Sequence, residues 1–150
     1  MKKLLIISDA DSKWIQQYCK YLAQNYNFKI YILTRNYNKF QDFYRQNGIE
    51  IIHYVRSYDG GKERLYKFLL RAKHQVKEIC DNFDAIHVHF VDRVVLTLAN
   101  AIATKDTRVI VSYWGSDIYR KKEQAFINEK KELYRADKIT LITEDMHEKL

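Results

Sequence analysis

Short apolar runs alternate with longer segments whose apolar residues recur every three or four positions, and this alternation governs nearly the whole chain. Lys3 to Ser8, Phe28 to Thr34 and Ile49 to Val55 are brief runs rich in Ile and Leu, as expected of strands covered on both faces. Asp9 to Lys13 turns the chain, with Asp11 or Ser12 as the N-cap of a helix. That helix carries Ile15, Tyr18, Cys19, Leu22 and Tyr26 on one face. Asn38 to Gln46 reads as a second helix stopped by Gly48, a C′ glycine. A loop with Gly60 and Gly61 leads into Lys62 to Phe83, where Leu65, Phe68, Leu69, Ala72, Val76, Ile79, Cys80 and Phe83 form a buried stripe.

The stretch from Asp84 to Asp117 organises the rest. Ile86, Val88 and Phe90 alternate with His87 and His89, which predicts a strand whose two faces differ. Asp92 can cap a helix over Val94 to Ala103, and Arg108 to Tyr113 is a further strand. Lys121 to Arg135 reads as a polar helix anchored by Phe126, Ile127, Leu133 and Tyr134, and Lys138 to Thr143 as a sixth strand. Strands alternating with helices predict an α/β fold, a doubly wound, Rossmann-like parallel sheet, with 3-2-1-4-5-6 as the commonest order for six strands. Ligands of such sheets bind just past the carboxyl ends of the strands. The polar residues expected there are Asp9 after the first strand, His89, Asp92 and Arg93 after the fourth, and Trp114, Gly115, Ser116 and Asp117 after the fifth.

Composition narrows the partners. At 150 residues the chain has the length of one domain, and 47% hydrophobic with 30% charged residues describes a globular protein. The formal charge of +7 favours an anionic partner: a phosphate-bearing ligand, an acidic membrane surface or nucleic acid. Cys19 and Cys80 both fall on apolar helical faces, so reduced, buried thiols and a cytoplasmic setting are expected. The opening MKKLLIIS is too short in apolar residues for a signal segment, and no run approaches a membrane span. Arg64, Lys67, Arg71 and Lys73, with Lys62 and Lys77, give the long helix a cationic side. It is either a solvated face or a site of adhesion to anionic lipid. The helix opening at Glu144 is cut at Leu150 within about two turns, so the chain is expected to be part of something longer.

Several chemistries are disfavoured. The turn Ser8-Asp9-Ala10-Asp11-Ser12-Lys13 contains neither phosphate-cradling glycine motif, and its side chains and acids oppose a pyrophosphate. A receiver-type site lacks its aspartate, because His53, Tyr54 and Val55 stand after the third strand. His87 and His89 share a strand face at a spacing some zinc sites use, but no third ligand is fixed by spacing, so no metal is expected. Asp117 can be a helix cap before Ile118 or a functional acid, Asp9 a turn acid or a ligand contact, and Gly115 simply a tight turn. Arg93 is a candidate for a phosphate or carboxylate. Tyrosines are plentiful but fall in no RNP-like or OB-like pattern, which disfavours nucleic acid.

DAIHVHF, RVIVSYWGSDIYR and ADKITLITEDMHEKL resemble the amino-terminal domain of retaining, GT-B-fold glycosyltransferases of family GT4. Those enzymes show D-x-x-H-x-H at the fourth strand, H-G-S-D after the fifth, and A-D-x-[IV]-x-x-[VS]-S-[EQ] at the sixth. The resemblance covers residues 84 to 150 by motif and residues 1 to 83 by layout. It implies two Rossmann-like domains facing a cleft. Residues 1 to 150 would be the acceptor-side domain, without a cofactor of its own. A carboxyl-terminal domain outside these residues would bind the nucleotide-sugar donor and carry the family's paired glutamates. The partners implied are a nucleotide-sugar and a glycan or lipid-linked acceptor, as in surface-polysaccharide or capsule synthesis. The location implied is the cytoplasm, peripheral on the inner face of the membrane. The 150 residues alone would not transfer sugar. Gly115, Ser116 and Asp117 match the family motif, whereas Trp114 replaces a histidine that approaches the donor sugar in many members. The first loop also departs, lacking the Gly-Gly pair of many members. A non-catalytic basic α/β domain that binds anionic membrane or nucleic acid is the alternative.

Overall fold

The computed structural model describes residues 1–35, 39–54 and 62–146, with the backbone alone for Lys62 and Glu63. Strands β1 (Lys2–Ile7), β2 (Phe28–Thr34), β3 (Glu50–His53), β4 (Ala85–His89), β5 (Arg108–Ser112) and β6 (Lys138–Thr140) form one sheet. Its order is β3-β2-β1-β4-β5-β6, and every pairing is parallel. Both the fold class and the strand order read from the sequence hold. The helices are α1 (Lys13–Asn25), α2 (Gln41–Gln46), α3 (Lys62–Ile79), α4 (Arg93–Ile102), α5 (Gly115–Tyr119) and α6 (Glu123–Lys130).

Because successive side chains leave a strand on opposite faces, each central strand supplies two cores. Leu5, Ile7, Tyr31, Leu33, Ile86 and Val88 pack with Phe68, Ala72 and Val76 of α3 and Leu96, Leu98 and Ala99 of α4. Leu4, Ile6, Ile30 and Ile32 pack on the other face with Ile15, Cys19 and Leu22 of α1 and Tyr44 of α2. Cys19 and Cys80 are buried free thiols. Tyr26 lies outside the core, exposed at the C-cap of α1.

The largest departure from the sequence pattern lies after α5. The single helix expected over Lys121 to Arg135 is α6 followed by a separate 3₁₀ turn, Lys131–Arg135. Arg135 donates to the backbone carbonyls of Asn100, Ala103 and Thr104, and Asn100 Nδ2 donates to the Glu132 carbonyl at 2.8 Å. A guanidinium thereby satisfies orphan acceptors at the end of α4, and reaching them draws the last turn tight. β6 stops at Thr140 rather than Thr143, as an edge strand with Ile139 and Ile142 exposed. α3 ends at Ile79, which is exposed, while Cys80 and Phe83 beyond it are buried. Asn38, Val55, Gly60, Gly61 and residues 147–150 lie outside the described residues.

Gly48 takes the C′ position expected of it, with φ +67°. Its N–H donates to the Arg45 carbonyl, and the Ile49 N–H reaches back to Tyr44 at 2.9 Å, the paired bonds of a Schellman motif. No heavy atom lies within 4 Å of a Cβ built there, so the cost of a side chain is purely backbone. Gly48→Ala is expected to lower the urea-unfolding free energy by about 1 kcal/mol, and Gly48→Asn by less.

Candidate functional site

At the carboxyl edge of the sheet a cavity of ≈250 Å³ opens over the ends of β1, β2 and β4. Asp9, which the sequence placed there, lines it together with His89 and Asp92, and so do Ser8 and Arg35. Arg93 does not. It turns away from the cavity toward Glu132, with Nε 3.4 Å from the carboxylate. The guanidinium that does reach the cavity belongs to Arg35, whose Nη2 lies 3.4 Å from Asp92 Oδ2. Arg35 is the first residue past β2, so the edge rule applied to the other strands would have found it.

The β1–α1 turn explains its lack of glycine. The Ala10 N–H donates to Thr34 Oγ1 at 3.2 Å, the Asp11 N–H to Asp9 Oδ1 at 3.0 Å, and the Ser12 N–H to the Asp9 carbonyl at 3.2 Å. The Tyr44 hydroxyl donates to the Ala10 carbonyl at 2.7 Å, and Ala10 is buried. The amides that a glycine-rich loop would turn toward a phosphate are therefore committed inside the turn.

β4 ends differently from its sequence pattern. Alternation puts Phe90 on the face of Ile86 and Val88, but Phe90 adopts φ +53°, and the strand stops at His89. The left-handed residue carries its ring to the opposite face, where it stacks on Trp114 with centroids 5.7 Å apart and planes 14° apart. Such a backbone costs a bulky residue roughly 1–2 kcal/mol and persists only when its surroundings enforce it.

The enforcing groups come from the β5–α5 segment. Val91 donates its N–H to Asp117 Oδ2 at 3.3 Å, and its carbonyl accepts from Lys121 Nζ. The same Asp117 oxygen accepts the Trp114 N–H at 3.0 Å, capping α5, which starts at Gly115 rather than at Ile118. Lys121 Nζ also sits 2.6 Å from Oε2 of Glu129, which is 2% exposed. Burial pushes the Asp117 and Glu129 carboxyls up, while the neighbouring backbone N–H groups on Asp117 and the Lys121 cation beside both pull them down. Asp117 thus faces inward as a fastener of the β4–α4 loop, and only Ser116 of this group is exposed.

Both strand histidines are buried on the α1 side. His87 joins Tyr18 through Nδ1 at 2.8 Å and Ser112 through Nε2 at 2.7 Å, and Ser112 continues to Thr140 at 2.5 Å. His89 Nδ1 accepts from the Trp114 indole at 3.3 Å. Desolvation lowers the ring pKa of His87 to about 4. Desolvation together with the charge His87 would carry lowers that of His89 to about 3. Among the described residues no cluster of three or more metal-ligating side chains occurs.

Residues 3–144 match the family model described as glycosyl transferase 4-like. No curated protein sequence matches the chain. Among solved structures, one from Listeria monocytogenes assigned as a UDP-N-acetylglucosamine 2-epimerase is 14% identical with a TM-score of 0.63, over 99% of this chain and 42% of that one. Glucose dehydrogenase from Haloferax mediterranei is 9% identical with a TM-score of 0.52, over 93% of this chain and 36% of its own. Saccharopine dehydrogenase (L-Glu forming) from Saccharomyces cerevisiae is 14% identical with a TM-score of 0.51, over 94% and 26%. At these identities the likeness is one of fold alone, and the chain spans less than half the length of each.

The clasp on Val91 makes a stability prediction. Lys121→Met strands the Glu129 carboxylate and the Val91 carbonyl, and is expected to cost about 3 kcal/mol or more in urea unfolding. Adding Glu129→Leu should restore most of that loss.

Proposed function

Because the chain belongs to the glycosyl transferase 4-like family, we propose that it forms the acceptor-side lobe of a retaining glycosyltransferase. The enzyme moves a sugar from a nucleotide-sugar to a glycan or lipid-linked acceptor of a surface-polysaccharide pathway, such as capsule synthesis. The observation that carries this reading is the β1–α1 turn, whose Ala10, Asp11 and Ser12 amides are committed internally beside an open polar crevice. A lobe so built has little to offer a diphosphate and much to offer hydroxyl groups. The donor's diphosphate belongs to a second, nucleotide-sugar-binding lobe, and closure of the two lobes would exclude water from the transfer. Asp9 and Arg35 act on the acceptor, Trp114 and Phe90 form an aromatic wall beside it, and Asp117 holds the loop that carries them.

In the full-length parent, Asp9→Asn and Arg35→Gln should each lower kcat/KM for the acceptor about tenfold, the worth of one charge-assisted hydrogen bond, and leave KM for the nucleotide-sugar unchanged. The 150 residues alone should transfer no sugar. Transfer by this chain alone, or unaltered acceptor kinetics in both variants, would remove the assignment.

One surface favours attachment to the inner face of the membrane. On α3, Arg64, Lys67 and Arg71 are exposed beside Tyr66, which is 62% exposed, and Leu70, which is 49% exposed, while Lys73 is half-buried. Cations flanking apolar side chains suit an anionic lipid surface, to which each basic residue contributes about 1 kcal/mol. Among the described residues no helix is long and apolar enough to cross a membrane. Sedimentation with anionic vesicles should fall at least tenfold when Arg64, Lys67 and Arg71 are all replaced by Gln. Equal binding to neutral vesicles, or salt-sensitive binding to any DNA in place of lipid, would count against this surface.

A further inference from the structure

Two buried polar atoms on crevice-lining residues have no hydrogen-bond partner among the described residues: Ser8 Oγ and His89 Nε2. The one hydrogen bond that the His89 ring makes among the described residues decides which of its nitrogens carries the proton. An indole N–H can only donate, so the bond from Trp114 Nε1 at 3.3 Å makes His89 Nδ1 an acceptor. A neutral imidazole whose Nδ1 accepts holds its single proton on Nε2. The rings packed on His89 are Tyr18 of α1, His87 of β4 and Trp114 after β5, with centroids 5.3, 4.0 and 6.1 Å away. None of them brings a carboxylate that would favour the imidazolium. The Tyr18 and His87 rings are neutral, since burial holds the phenol up at about 12 and the imidazole down at about 4, and the charged groups facing His89 are Asp9, Asp92 and Arg35 of the crevice lining.

We propose that Trp114 is a positioning residue that locks His89 as an Nε2–H donor, and that this donor, with the Ser8 hydroxyl, serves an oxygen atom of an uncharged, hydroxyl-bearing ring bound at the crevice. The tautomer stands on geometry alone, whereas the ligand class rests on the glycosyltransferase reading. Charge supports that class. Among the described residues the cavity is lined by the carboxylates of Asp9 and Asp92 against the single guanidinium of Arg35, and Asp92 is already engaged by Arg35 and by the Val95 N–H. With His89 neutral, these described lining residues carry an excess negative charge that repels phosphate and accepts hydroxyl protons. A space of ≈250 Å³ also falls below the roughly 300–1,000 Å³ of pockets for drug-sized ligands, and so suits one small ring.

The test is imidazole nitrogen NMR on the intact chain labelled with ¹⁵N-histidine. His89 should show the Nε2–H pattern and stay neutral down to about pH 5, consistent with a ring pKa lowered to about 3. Trp114→Phe should give mixed tautomers with a titration midpoint moved toward the ordinary histidine value. An Nδ1–H pattern in the native chain, or an Nε2–H pattern unchanged by Trp114→Phe, would overturn the lock. For the ligand, glucose, myo-inositol and inorganic phosphate serve as probes. Slowed exchange of the Nε2 proton with either polyol and not with phosphate is expected. Protection by phosphate alone, or by none of the three, overturns the ligand class without touching the transferase reading, which acceptor kinetics test separately.

Discussion

Val91 is a backbone unit that strand and helix both leave behind. Its amide and its carbonyl are taken by two charged side chains from the following crossover, Asp117 and Lys121. An unpaired buried peptide group would cost about as much as a lost hydrogen bond, so the chain is held where both can be met. From that point the rest of the working edge follows. Phe90 is forced into a left-handed backbone, its ring moves onto Trp114, and Trp114 in turn reaches His89. On the other side Asp92 starts α4 by accepting the Val95 N–H at 2.8 Å. One ion pair, half-buried Lys121 with buried Glu129, anchors the arrangement from below.

The layout of the sheet was legible because it depends on local periodicity. Apolar runs such as Leu4 to Ile7 and Ile30 to Leu33 have one reading as covered strands, and Gly48 and Asp92 are local signals for helix ends. What could not be read depends on partners distant in sequence. Lys121 and Glu129 look like surface charges in a polar helix, and only the fold buries Glu129 and sets half-buried Lys121 against it. Arg135 gives no hint that it will cap α4 from more than 30 residues away. Phe90 fits the alternation of β4 so well that its reversal of face is invisible without the Val91 clasp.

The crevice residues divide along the same line. Asp9, His89 and Asp92 were placed by the rule that ligands meet the carboxyl ends of parallel strands, and they do line one cavity. Asp117 matched a motif, and in this chain its Oδ2 accepts the Val91 and Trp114 N–H groups and so ties the two loops together. The missing glycines of the first turn have a positive counterpart in the bonds from Ala10, Asp11 and Ser12. Those bonds occupy the amides inside the turn.

The row from Tyr18 through His87 and Ser112 to Thr140 has one more property. A neutral imidazole donates from one nitrogen and accepts at the other, so the sense of the bond to Tyr18 dictates the sense of the bond to Ser112. Where Ser112 donates to Nε2 its only proton is spent, so Thr140 must donate to it and the three links point head to tail. β4 and β5 consequently share a polarity lying across the strands rather than along them, and it reverses only if the protons of Tyr18, His87 and Ser112 change sides together.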